Sequence, residues 1–175
     1  MNGFVGSRDS DKVIIVGFSG TELLSLKNWK TNVCQYFGRL DPVYVQAAGL
    51  VRSVWMGKRH RKDFKDLRVI VCGHSLGGGL MQYSVGAMNK DDIVGYGYNS
   101  AGLSKSNMCE FWKPWPDNIL HLYQPTDVVF LLPFSYQIGK SVKSQRFVFG
   151  AIRAHQLGAM RRGAGVYRRE YARLR

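Results

Sequence analysis

Residues 69–80 read V-I-V-C-G-H-S-L-G-G-G-L, and residues 73–77 within them fit the pattern G-x-S-x-G. An apolar, β-branched run ends in a glycine-flanked serine, and a run of small residues able to open a helix follows. A nucleophile elbow needs this order, because its serine sits on a very sharp turn from strand to helix. The turn forces the serine backbone into strain and lifts its hydroxyl above the sheet. Side chains at the glycine positions are expected to collide with the neighbouring strand or helix. A serine at a helix start also has backbone N–H groups and the positive helix end aimed at any developing oxyanion. The stretch therefore predicts an α/β fold with Ser75 at a reactive turn. The rest of the chain must then supply a base, an acid to orient it and an oxyanion donor.

Outward from this stretch the chain alternates. Residues 13–18 form another continuous apolar run, as expected of a strand buried on both faces, and Ser19-Gly20-Thr21 breaks it. Between residues 25 and 40, Leu26, Trp29, Val33 and Phe37 recur at roughly helical spacing. Pro42 can open a second helix, with Val43, Ala47, Leu50, Val51, Val54 and Trp55 as its apolar stripe. A polar connection leads to the elbow strand at 67–72, and 79–88 reads as the elbow helix. Residues 93–98 and 119–123 read as the third and fourth strands, 146–149 as a fifth, and a helix follows from about Ala154. Residues 1–11 read as a frayed polar start and about 163–175 as a mobile basic end. The alternation argues for a reduced α/β fold, a mostly parallel sheet flanked by helices, in one domain spanning 1–175.

Composition bounds the function. The chain has 175 residues, 45% hydrophobic and 13% aromatic, which is globular and not disordered usage. Its formal charge is +13 and its pI about 9.9, which implies attraction to something anionic. Two clusters concentrate that charge: Lys58-Arg59-His60-Arg61-Lys62, and the carboxy-terminal Arg161, Arg162, Arg168, Arg169, Arg173 and Arg175. Surface attraction of roughly 1 kcal/mol per Lys or Arg makes an anionic membrane one expected partner, with a merely solvated surface as the alternative. Nucleic acid is not expected as a partner, because no recognised binding module is visible and only Tyr167 and Tyr171 interleave the arginine-rich tail. Cys34, Cys72 and Cys109 have no metal-ligand or C-x-x-C spacing and read as free thiols in a reduced compartment. The amino terminus lacks the pattern of a secretory signal, so cytosolic synthesis is expected, with a signal-independent export route left open. No apolar run approaches the roughly 18 residues of a membrane span.

The base and acid are sought by chain order and strand end. A serine hydroxyl is a weak nucleophile at neutral pH and needs a base within hydrogen-bond reach. Of four histidines, His74 belongs to the elbow and points elsewhere, His121 lies within a strand as a core residue, and His60 sits among cations with no acid to orient it. His155 follows the last expected strand, where a loop at the sheet edge can carry it back over the elbow. The acid should follow another strand, between serine and histidine. Asp127 does so. Asp91, Asp92 and Asp117 precede strands and so face the wrong end of a parallel sheet, whose chemistry gathers at the carboxyl ends. A plain turn residue after Pro125-Thr126 is the competing reading of Asp127. The backbone N–H of Leu76 is the first expected oxyanion donor. Thr21, after the first strand, is the second, with an ordinary capping role as its alternative.

These residues resemble the class 3 lipases of the α/β-hydrolase fold. Residues 13–21 followed by Asn28-Trp29-Lys30-Thr31-Asn32 resemble the family's first strand, its Gly-Thr loop and its D-W-x-x-N segment. Residues 71–80 resemble its G-H-S-L-G-G elbow, and Asn99-Ser100-Ala101-Gly102 its small-residue loop after the next strand. Residues 122–133 resemble the acid-bearing segment, and His155-Gln156-Leu157 the terminal histidine. Ser19 stands where the family usually carries arginine, and the chain begins almost at the first motif strand. The resemblance implies a serine hydrolase of lipid esters, triacylglycerol or phospholipid. Ser75, His155 and Asp127 would form the triad and Thr21 and Leu76 the oxyanion hole, with no metal or organic cofactor. The competing expectation is an inactive hydrolase fold that serves as a basic membrane- or nucleic-acid-binding structural protein.

Overall fold

A computed structural model describes residues 2–20, 41–105, 107, 117–127, 129 and 136–144. Strand β1 (Gly3–Arg8) and a 3-10 turn (Asp9–Asp11) lead into β2 (Val13–Phe18). Helix α1 (Pro42–His60) precedes β3 (Arg68–His74), which turns through Ser75 into α2 (Leu76–Met88). Strands β4 (Ile93–Tyr98), β5 (Ile119–Tyr123) and β6 (Lys140–Lys143) follow. The six strands form one sheet in the order β1-β2-β3-β4-β5-β6. All neighbours from β2 to β6 are parallel, and β1 pairs antiparallel with β2.

Sequence patterns explain the elements. Asp41 caps α1 by accepting from the Val43 N–H at 2.9 Å, and Pro42 occupies a first-turn position where its missing N–H costs nothing. Asn89 ends α2 in the left-handed conformation at φ 43°, which its short polar side chain tolerates. The apolar stripe of α1 buries Tyr44, Ala47 and Val51 against Leu80, Met81 and Val85 of α2, and both helices cover Val16, Val69, Val71, Ile93 and Ile119 on one face of the sheet. The opposite face carries Val94, Tyr96 and Leu120, with Ile70, Cys72, Tyr98 and Val142 packed around them.

Two local expectations change. Residues 3–8, expected as a frayed start, form the edge strand β1, held in register from Gly3 opposite Phe18 to Arg8 opposite Val13. Its residues are all exposed, so no burial pattern announced it. Ser19 closes this hairpin: its N–H and its hydroxyl both donate to the Asn2 carbonyl at 3.0 Å. Lys140–Lys143 forms β6 beside β5, a short and largely exposed strand with no apolar run. The expected strand at 146–149 and the helices at 25–40 and after Ala154 lie outside the described residues.

The basic cluster at 58–62 also changes meaning. Lys58 is buried, and its ammonium donates to the Leu67 carbonyl and to the Asp92 carboxylate, which Trp55 Nε1 also holds at 3.0 Å. Burial works to raise the Asp92 carboxyl, but the Lys58 and Trp55 hydrogen bonds and the Lys58 charge outweigh it and hold the group below its ordinary range. Lys58 is therefore an internal tie between α1 and the start of β4, not a membrane contact. Arg59 and Lys90 lie over the Trp55 ring at 4.8 and 5.5 Å, and Arg61 over Phe64 at 4.2 Å. Leu67 and Asp92 precede β3 and β4, so this basic edge lies at the amino ends of the strands, opposite Ser75. The carboxy-terminal arginines lie outside the described residues.

Candidate active site

Ser75 occupies the junction of β3 and α2 with φ 56° and ψ −126°, a conformation sparsely populated by residues with a side chain. Such strain costs on the order of 1–3 kcal/mol and persists only where the surroundings over-determine it. Here they do. The Ser75 N–H donates to the Tyr98 carbonyl at 3.1 Å, and the Ser75 carbonyl accepts from Gly78, Gly79 and Ala101 at 2.9, 3.2 and 2.9 Å. The glycines have the steric role read from sequence. A Cβ on Gly73 would lie 2.1 Å from the Gly77 carbonyl oxygen, and one on Gly77 would lie 2.2 Å from that of Phe18. The helix thus starts in backbone contact with both neighbouring segments. Leu76, its first residue, has an N–H with no intrahelical acceptor.

The loop after β2 reaches the same place. A Cβ on Gly20 would lie 3.0 Å from the Ser75 Cβ and 2.6 Å from the His74 carbonyl oxygen, so this backbone runs against the elbow. Thr21, the next residue, lies outside the described residues, as does His155. Asp127 is fully buried beyond the end of β5; its N–H donates to the Gln124 carbonyl at 3.0 Å, and its carboxylate accepts from the Val129 N–H at 2.8 Å. Because β3, β4 and β5 are parallel and level, with His74 opposite Tyr98 and Tyr98 opposite Leu122, Ser75 and Asp127 emerge at one edge of the sheet. Asp92 sits at the other edge in its pair with Lys58, as the strand-end reading of the acids requires.

A buried polar network beneath the elbow was invisible in the sequence, because its members come from four separate segments. Gln82 of α2 donates to the Ala101 carbonyl at 2.7 Å and accepts from the Ile138 N–H at 3.0 Å, while Gln137 donates to the Ser100 carbonyl at 2.9 Å. His121 is the core histidine expected from its strand position. Its Nε2 donates to the Ile138 carbonyl at 2.9 Å, which leaves Nδ1 to accept from the Ser100 hydroxyl at 2.9 Å. Burial pushes its pKa down from 6.5 to about 4, against the opposing effect of the Ile138 bond. The folded state therefore resists a proton that the unfolded chain accepts below about pH 6.5. Stability tied to His121 is complete above that pH and falls by about 3 kcal/mol as pH drops to about 4. Nitrogen-15 NMR should find the ring neutral, with its proton on Nε2, down to about pH 4; protonation near pH 6 would refute this assignment.

Beside the elbow, on the sheet face away from α2, lies a cavity of about 390 Å³. Phe4, Phe18, Cys72, His74 and Tyr98 supply its larger walls, and among the described residues no lysine, arginine or carboxylate lines it. His74 thus points away from the helix side, as its place in the elbow predicted. Phe4 stands at 61% exposure over this region, its ring against Gly17.

A family model described as a Tle-like phospholipase domain matches residues 4–116, which include the elbow and the Gly20 loop and end before Asp127. An extracellular phospholipase A1 of Serratia liquefaciens is 33% identical over 99 residues, which span 57% of this chain and 27% of that protein. The native lipase–propeptide complex of Rhizomucor miehei superposes with a TM-score of 0.53 at 18% identity, over 83% of this chain and 53% of that one. The matched region therefore spans about a quarter of the curated relative and about half of the solved lipase chain. The likeness to that structure is one of fold, a mostly parallel sheet flanked by helices.

Proposed function

The chain belongs to the family of Tle-like phospholipase domains, and on that premise we propose that it cleaves carboxylic esters of lipids through an acyl-enzyme on Ser75. The observation that carries this reading is the strained Ser75 backbone at the carboxyl edge of a parallel sheet, over-determined by four backbone hydrogen bonds. A fold has no stability reason to keep a non-glycine residue there. In the proposed mechanism His155 removes the Ser75 proton as the oxygen attacks the ester carbonyl. Asp127 holds the imidazole tautomer and stabilises its charged form. The N–H groups of Leu76 and Thr21 receive the oxyanion. The His155 imidazolium gives the Ser75 proton to the departing alcohol oxygen as the ester C–O bond breaks. Water, losing a proton to His155, then attacks the acyl-enzyme, releasing the acid and restoring the Ser75 hydroxyl. Within the lipase fold the finer assignment is the class 3 type, supported by the G-H-S-L-G-G elbow.

The substrate end of the proposal rests on the cavity beside His74. Among the described residues its wall is phenylalanine, tyrosine and thiol beside His74, with no lysine or arginine, which suits an acyl chain better than a phosphate head group. Its volume of about 390 Å³ lies toward the lower end of the range for ligand pockets. Each methylene buried there contributes roughly 0.8 kcal/mol, so kcat/KM should rise three- to fourfold per carbon until the cavity fills. Hydrolysis of p-nitrophenyl esters from acetate to palmitate, and of a phospholipid, tests the activity. No turnover of any acyl ester would remove the proposal. Cys72→Phe fills the cavity from β3 and should lower the ratio of long- to short-chain kcat/KM at least tenfold. An unchanged ratio would place the acyl chain elsewhere.

A further inference from the structure

The nucleophile and the acid reach the same edge from strands that are not neighbours, with β4 between them. Something at the end of β4 must set the one against the other, and Asn99 stands there. It is fully buried, with φ 43°, the left-handed conformation in which asparagine is among the few tolerated residues. Its N–H donates to the Leu122 carbonyl at 2.9 Å, and its Oδ1 accepts from the Gln124 N–H at 2.9 Å. The Gln124 carbonyl in turn accepts from the Asp127 N–H at 3.0 Å. On the other side, the residues flanking Asn99 grip the elbow: the Tyr98 carbonyl accepts from the Ser75 N–H, and the Ala101 N–H donates to the Ser75 carbonyl. Five hydrogen bonds thus run from Ser75 through Asn99 to Asp127.

We propose that Asn99 is a positioning residue that holds the Asp127 turn in register with the Ser75 elbow. This rests on the reading of Ser75 and Asp127 as nucleophile and acid. Two properties of the side chain are separable. The left-handed backbone can be kept by glycine alone, while the Oδ1 bond to Gln124 is lost in both glycine and alanine variants. Without that bond the first residue of the acid turn loses its tether to β4. Asp127 then drifts relative to an imidazole that works only within a narrow geometry. A displacement of about 1 Å is worth on the order of 100-fold in rate.

The test compares Asn99→Gly, Asn99→Ala and Asp127→Asn on p-nitrophenyl butyrate, with active sites counted by a fluorophosphonate and Tm measured for each. Asp127→Asn should lose on the order of 10⁴-fold in kcat. Asn99→Gly and Asn99→Ala should both lose roughly 10- to 100-fold in kcat per titrated site with KM little changed. Asn99→Ala should also fall further in Tm, because only alanine is strained at this φ. In both, the acid limb of the kcat/KM profile should move to lower pH, since an imidazolium deprived of its carboxylate loses its proton more readily. A merely structural role lowers Tm and leaves that limb in place. Wild-type rates in Asp127→Asn would overturn the acid assignment and this inference with it. A large loss in Asp127→Asn beside wild-type rates in Asn99→Gly, or a rate loss with an unmoved acid limb, would overturn the role of Asn99 alone.

Discussion

Ser75→Ala should lower ester hydrolysis by roughly 10⁴- to 10⁶-fold while leaving the fold in place. The loss is large because the hydroxyl is the atom that bonds to the acyl group, and neither the base nor the oxyanion donors can act without it. The fold should survive because Ser75 is tied through its backbone, to Tyr98, Gly78, Gly79 and Ala101, and alanine keeps those bonds. Ser75→Gly sharpens the point. Glycine occupies φ 56° without strain, so the variant should be equally inactive yet more stable than wild type, by on the order of 1 kcal/mol. A fluorophosphonate should label wild type and neither variant. Labelling of Ser75→Ala would move the nucleophile elsewhere. Salt-sensitive DNA binding with no esterase activity in wild type would favour a basic structural protein instead.

The sequence carried the central parallel unit with little ambiguity, and the reason is physical. Strands buried on both faces must be continuous apolar runs, so residues 13–18, 93–98 and 119–123 coincide with β2, β4 and β5. The elbow was legible because its glycines are required by backbone contacts that leave no choice of residue. Edges were not legible. Strand β1 has no buried position and β6 is mostly exposed, so neither has a pattern for composition to reveal. The inward course of Lys58 is hidden for a related reason. A run of five basic residues looks solvated, and nothing local shows that one member points inward to an aspartate from a distant segment. Asn99 reads in sequence as part of a small-residue loop, and nothing local shows its bond to Gln124, a partner just past the next strand. Chain order could rank Asp127 over the other aspartates because the rule that sorts them, the strand end they follow, is itself local.

The same substitution, glycine to alanine, should have opposite consequences at two helices of this fold. Gly77→Ala adds a Cβ 2.2 Å from the Phe18 carbonyl oxygen, 2.8 Å from its carbon and 2.9 Å from the carbon of Ser19. All three are backbone atoms of β2 and its exit, so no rotamer change relieves the overlap. Relief requires the start of α2 to move away from β2. That movement carries Leu76 and Ser75 with it and loosens the packing of Leu80 and Met81 on the sheet. The expected cost exceeds about 4 kcal/mol, enough to consume much of the stability of an ordinary domain, and any folded fraction should have lost the oxyanion geometry. Gly49 and Gly57 on the exposed side of α1 have no atom within 4 Å of a built Cβ. There alanine meets open space and gains only helix propensity, about 1 kcal/mol per site, which should raise Tm by roughly 2–4 °C. Thermal melts of Gly49→Ala and Gly77→Ala, read beside soluble yield, check both signs. A Gly77→Ala protein that melts near wild type would mean that α2 can retreat from β2 at low cost. The strain at Ser75 could then not be held by that contact, and the tyrosine and alanine bonds from the β4 side, through Tyr98 and Ala101, would have to sustain the elbow alone.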